Sequence, residues 1–315
     1  MGREVGRVDV VPLAAGEPNP GRSSPRVAND GHDRRDGDDS HRQDRLADEG
    51  VLRLDDEVRR YVEHPYHPGI TVRQLVTHTA GVPNPIPLRW VHAADAQAGF
   101  DGHAALAKVL AKHSRPKSRP GERYLYSNIG YWLLGEVVEA ASKQDYSAFV
   151  RARVFAPLGL SPRDIDFAVV DPGSHAKGYL AAFSVMNALK RLLLDRRVWG
   201  GYEGAWLRIR DVYPDGPSFG GAVGSAAAFG VILRDLLRDD PIVLSRASKA
   251  LLFEQVRLRS GRPIAMTLGW HIGDLEGRPR LGARREAVVL AHGLIVEVLA
   301  INDKQYLVYK RQLAG

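Results

Sequence analysis

The chain has 315 residues, 44% apolar and 26% charged, with a formal net charge of +7. That composition allows a substantial core and excludes a protein that is fibrous or disordered throughout. The absence of Cys excludes disulfides and thiolate metal sites. The cations alternate with acids, as in Arg53, Asp55, Asp56, Glu57, Arg59 and Arg60, which describes a solvated surface, so no nucleic-acid partner is expected.

The first residues, MGREVGRVDVVPLAAGEPNPGRSS, lack the continuous apolar stretch of a signal peptide. No run reaches the roughly 18 apolar residues of a membrane span. No membrane span is expected, and localisation stays open with the cytoplasm as the default. Residues 14–45 are dominated by Gly, Pro, Asp, Arg, Ser and His, which predicts disorder because so little can be buried.

Globular sequence begins at Leu46. In RLADEGVLRLDDEVRRYV, the residues Leu46, Val51, Leu54, Val58 and Val62 have spacings that predict a short helix, a turn and a second helix. Thr71 is expected to cap a helix carrying Val72, Leu75 and Val76 on one face, with Gly81 and Pro83 as terminators. Residues 103–113 predict another helix, and RPGERYLYSN a Pro-Gly turn. From Gly130 the stripe Leu133, Leu134, Val137, Val138 and Ala141 marks a long helix, and DYSAFVRARVFAPLGL a second, closed by Pro157 and Gly159. An amphipathic helix is expected near MNALKRLLLDRRVW. GPSFGGAVGSAAAFGVILRDLLRDD reads as a Gly-rich loop entering a helix, and another helix starts at Ser245. IAMTLGWHIGDLEGRPRLG has the alternation and turn of an antiparallel strand pair.

RLADEGVLRLDDEVRRYV, ITVRQLVTHTAGVP, RPGERYLYSNIGYWLLGEVVEAAS and FVRARVFAPLGL, in this order, resemble the class C β-lactamases, D-Ala-D-Ala peptidases and related esterases. SFGGAVGSAAAFGVILRDLL and LGWHIG extend the resemblance to about residue 275. It implies an α+β fold, an antiparallel sheet flanked by helices with a helical region alongside, incomplete at both ends. It divides the chain into an out-of-family segment 1–45, a serine-hydrolase domain 46–282 and an out-of-family segment 283–315. The family's chemistry is attack of a Ser hydroxyl on an acyl carbonyl, helped by a nearby base and oxyanion donors. The resemblance assigns Tyr126 and Asn128 to a Tyr-x-Asn catalytic motif, with Ser127 between them as a substrate-binding residue. It makes His78 and Thr79 structural parts of a THT-x-G element.

The resemblance breaks at the nucleophile. Aligned on Gly50, the family's Ser-x-x-Lys pair falls on Asp33 and Asp36, and neither carboxylate can do that chemistry. The literal matches Ser114 to Lys117 and Ser174 to Lys177 are expected to be accidental, since one holds Pro116 before the Tyr loop and the other follows it. His292 and Gly293 come too late to serve as the family's third motif. Frameshifts near residues 45 and 283 would produce such boundaries, and divergence into a non-catalytic homologue is the competing account.

No metal or cofactor is expected. His64 and His67 in EHPYHPG lack a third ligand of matching spacing and read as a surface loop. The Asp-rich tract 30–48 lacks the pattern of a calcium loop, and GAVGSAAAFG lacks the GK[ST] of a phosphate loop and reads as close backbone packing. The expected function is acyl transfer to water on an ester, amide or β-lactam, abolished here for want of a nucleophile. A non-catalytic binding homologue or a frameshifted fragment is the alternative. The partner is a small-molecule or peptide-like acyl substrate, oligomeric state is open, and a core without its central helix predicts marginal stability.

Overall fold

The structure is a computed structural model. It describes residues 52–272 apart from 86, 88, 174, 185, 186 and 189–195, and beyond them the backbone of short strands at 274–275, 278–279 and 290–291. All described residues belong to the unit Arg42–Gly315. Asp33, Asp36, Ser174, His292 and Gly293 lie outside the described residues, as do the 1–45 segment and nearly all of 283–315.

Six α-helices are described: α1 (Val72–Val76), α2 (Gly102–Lys112), α3 (Asn128–Ser142), α4 (Tyr146–Val150), α5 (Ala226–Leu237) and α6 (Arg246–Leu252). Each begins after a short polar residue, respectively Thr71, Asp101, Ser127, Asp145, Ser225 and Ser245. In every case the cap's side-chain oxygen accepts the N–H three residues on. Such caps stabilise a helix by about 1 kcal/mol each. At Thr71 the reciprocal bond from its own N–H to Gln74 Oε1 completes a capping box.

Two segments depart from expectation. Helices were expected across 46–62, yet the described part contains only a 3-10 turn, Val58–Arg60. The reason is non-local pairing. The N–H of Val58 bonds Ile70 O, that of Val72 bonds Asp56 O and that of Arg73 bonds Leu54 O, which holds 54–58 alongside 70–73. The single helix expected over DYSAFVRARVFAPLGL is instead α4, a π turn over Arg151–Phe155 and a 3-10 turn over Ala156–Leu158, ended by Gly159 at φ 72°. The helix expected near MNALKRLLLDRRVW falls mostly outside the described residues, apart from the helical Asn187 and Ala188 and a 3-10 turn at Arg196–Val198.

Every described strand pairing is antiparallel. β1 (Val91–Ala93) pairs with β6 (Val212–Pro214), and β2 (Ile165–Asp166) with β7 (Val223–Gly224). β5 (Trp206–Ile209) lies between β3 (Gly178–Ala181) and β4 (Trp199–Glu203). β8 (Trp270–His271) pairs with β11 (Leu290–Ala291), and β9 (Asp274–Leu275) with β10 (Arg278–Pro279), which is the strand pair expected in that region. The Gly-rich loop packs backbone to backbone: a Cβ on Gly224 would sit 2.8 Å from Asp164 O and the Ile165 side chain. The class is α+β, as the sequence implied.

Helix α3 is the spine. Its Ile129, Leu133 and Val137 are buried against Val58, Ile70, Val72 and Leu75, while Trp132 meets Trp90 and Phe219. The buried stripe centres on Ile129, Trp132, Leu133 and Val137, with Leu134, Val138 and Ala141 only partly covered. A second cluster joins Val150, Phe155 and Ile165 to Phe229 and Ile232 of α5 and to Trp270. Among the described residues no helix is long and apolar enough to cross a membrane.

Candidate active site

The Tyr126, Ser127 and Asn128 backbone turns into α3 through a dense set of local bonds. Ser127 is 2% exposed. Its Oγ accepts the Gly130 N–H at 2.9 Å and donates to Pro83 O at 2.9 Å. Its own N–H donates to His78 Nδ1 at 3.2 Å. That bond makes Nδ1 an acceptor, so a neutral His78 carries its proton on Nε2. The Asn128 N–H donates to Asn84 Oδ1 at 3.0 Å, and the Leu125 N–H to His78 O at 2.8 Å. Upstream, the Lys117 and Gly121 N–H groups bond Gly81 O and Thr79 O. The 77–84 and 117–130 segments therefore form one hydrogen-bonded pair of loops.

His78 sits at its centre, 2% exposed and at φ 55°. A left-handed conformation costs a residue with a Cβ roughly 1–2 kcal/mol, and aromatic packing holds this one in place. The ring lies 4.6 Å from Tyr131, stacked at 28°, 4.6 Å from Tyr126 and 5.9 Å from Tyr124. Tyr131 Oη donates to Val76 O at 2.9 Å, which fixes the stack to the end of α1. Thr77 and Thr79 share a hydroxyl bond of 2.9 Å.

Tyr126 Oη donates to Asn128 Oδ1 at 2.7 Å. The phenol and amide expected to act together are therefore side by side, leaving the amide's Nδ2 protons to point elsewhere. Burial pushes the Tyr126 phenol above its ordinary range, and pushes Tyr124 up to about 12 with a smaller contribution from Tyr126. Ser127, expected to touch substrate, has its hydroxyl engaged twice within the chain, with Pro83 O and the Gly130 N–H. Ser114 and Lys117 follow the end of α2 in irregular backbone, so Lys117 is not one helical turn from Ser114.

The structure also brings together groups that the sequence does not connect. His64, read as part of a surface loop, is buried and stacks on Tyr66 at 6.0 Å, and burial lowers its basicity. Its chain neighbour His67 is exposed and accepts the Gly69 N–H. His92 Nδ1 lies 3.0 Å from Asp215 Oδ1, with its ring stacked 3.8 Å from Phe100. His103 approaches Glu136 and Glu139 of α3. The sequence signal available for this last group was the Glu-x-x-Glu spacing on a predicted helix.

Comparison with known proteins gives the family and the fold. Residues 44–293 match the Beta-lactamase family model. The chain is 27% identical over 250 residues to penicillin-binding protein 4* of Bacillus subtilis, covering 75% of this chain and 50% of the relative. It thus spans about half the length of that relative. Among solved structures, the octameric penicillin-binding protein homologue from Pyrococcus abyssi superposes with a TM-score of 0.54 at 23% identity, over 74% of this chain and 50% of that one. D-amino acid amidase from Ochrobactrum anthropi gives 0.54 at 19% identity, over 76% and 66% respectively. These two likenesses carry the fold. The family match spans most of the chain and includes both the His78 loop and the start of α3, and on that ground the chain belongs to the Beta-lactamase family.

Proposed function

We propose that this chain keeps the orienting half of a serine-hydrolase acyl site, Tyr126 and Asn128, without the nucleophilic half, and binds an ester-, amide- or β-lactam-type ligand without turning it over. The observation that carries this reading is the Tyr126–Asn128 pair itself, 2.7 Å apart and held by the His78 loop. Burial pushes its phenol up, which keeps it protonated as the donor to Asn128. Asp33 and Asp36 occupy the positions where the resemblance puts the Ser and its Lys. The family match begins after both. Loss of a nucleophile that works as a unit with its base leaves only a small residual rate from binding and oxyanion contacts. The domain in this reading is 46–282, flanked by 1–45 and 283–315.

The test is intact-mass analysis of the full chain after incubation with a fluorophosphonate and, separately, with a penicillin. No adduct is expected, while calorimetry should register penicillin binding that weakens in Asn128→Ala. A stoichiometric adduct mapped to one Ser would overturn the proposal and restore a working serine hydrolase. Absence of both adduct and binding would leave the family fold without a ligand site.

A further inference from the structure

The geometry points to a divalent metal site, formed by His103 on α2 and by Glu136 and Glu139 on α3, that takes a first-row transition ion such as Zn2+. The three side chains come from two packed helices, and their donor atoms lie within 4.8 Å of one another. Glu136 and Glu139 are three residues apart on one face of α3. His103 Nδ1 is 2.6 Å from Glu136 Oε2, and its Nε2 is 3.6 Å from Glu139 Oε2. The site is separate from the Tyr126 loop: Glu136 lies eight residues along α3 from Asn128, about 12 Å at the helical rise.

Three observations make this more than a surface ion pair. The group lines a solvent-open cleft of about 780 Å3 whose wall also carries His92 and Asp215, so a bound ion would have open positions facing the cleft. The charge does not balance, because among the described residues the one cationic partner of both carboxylates is the His103 imidazole. Glu139 is also oriented from behind. Its Oε1 accepts the Tyr146 N–H at 2.8 Å, which leaves Oε2 turned toward His103; an outer-shell bond of that kind fixes a metal-ligating carboxylate.

One imidazole and two carboxylates form a borderline-to-hard donor set, suited to Zn2+, Mn2+ or Fe2+ rather than to ions that select sulfur. Without metal, the imidazole clamped between the carboxylates is held by a proton, and an ion would take over the electron pair that the proton uses. Ligands at about 2.1 Å from a shared ion stand about 3.4 Å apart in a tetrahedral site. Binding therefore requires the 2.6 Å His103–Glu136 pair to open and one ring nitrogen to face both carboxylates, a rearrangement that the 69% exposed His103 side chain can make.

The test is calorimetric titration of the tag-free, EDTA-stripped full chain with Zn2+, with Co2+ absorption in the visible as a report on coordination. The expected result is one ion per chain, with affinity reduced at least about tenfold in each of Glu136→Gln, Glu139→Gln and His103→Ala. His67→Ala, which removes an exposed imidazole elsewhere, leaves binding unchanged. The Gln variants keep side-chain shape, and circular dichroism checks that each is folded. No binding by the parent chain overturns the assignment. So does binding that survives both Gln variants, or that falls in His67→Ala.

Discussion

Substitution of Gly81 by Ala tests the pairing of the two loops that hold Tyr126. Gly81 has φ 76°, and a Cβ built there would lie 2.2 Å from Ser118 O. The left-handed conformation costs an Ala roughly 1–2 kcal/mol. The contact with a backbone oxygen can be relieved only by moving the 117–118 strand of the loop, which is itself bonded to Gly81 O through the Lys117 N–H. Overpacking of that kind adds about 1–3 kcal/mol, so Gly81→Ala should lose about 2–5 kcal/mol in all. Gly159 is the matched control. Its φ is 72° and nothing lies within 4 Å of a Cβ built there, so Gly159→Ala should show the conformational part alone. Urea unfolding followed by the fluorescence of the buried Trp90 and Trp132 compares the two variants at constant m-value. If they lose the same stability within about 0.5 kcal/mol, the close approach of Gly81 to Ser118 is not what holds these loops together.

Leu133 is 1% exposed in the middle of α3, so Leu133→Ala should cost about 2–5 kcal/mol in the same unfolding assay. Asp235 is buried and its two oxygens accept the Ile242 and Val243 N–H groups at 2.8 and 3.0 Å. Asp235→Ala removes both of these bonds and should cost about 3 kcal/mol, with Asp235→Asn recovering part of the loss. Burial pushes the phenols of Tyr124 and Tyr146 up to about 12, and those of Tyr66 and Tyr131 further. A phenol whose proton is held more tightly in the folded state contributes stability in full below its unfolded value near 10, and that contribution is lost as pH climbs from there towards 12. Phenolate absorbance followed together with circular dichroism should show these residues ionising only as the chain unfolds. All 11 tyrosines titrating as one set in folded protein would contradict it.

What could be read from the sequence was what depends on residues close in the chain. Thr71 and Ser245 announce their helices because a short oxygen can reach an N–H three residues away. YSN and THTAG could be placed in their loops because their neighbours carry a recognisable order. The parts that escaped are those made across distance. His92 meets Asp215 across 123 positions and His103 meets Glu136 across 33, with no local pattern to mark either. Val58, Val62 and Leu54 have helical spacing, yet their segment gives its backbone bonds to residues 70–73, and tertiary pairing overrides the period. The π turn after α4 is likewise invisible in a stripe of apolar residues, since it shifts the hydrogen-bond partner and leaves the composition unchanged. The role of Ser127 could be read two ways, because a serine before an apolar helix is both a good cap and a plausible ligand contact.

The bonds through Ser127 tie the dynamics of the candidate site together. Its hydroxyl donates to Pro83 O and its N–H to His78 Nδ1, so neither loop can lift away without freeing the other. Local opening here has to break the Leu125, Ser127 and Asn128 bonds in a single event, which makes the three amides one cooperative unit for hydrogen exchange. Their exchange rates should respond alike to denaturant. Access to Tyr126 from the His78 side is then governed by one opening equilibrium, shared by every ligand that needs that route.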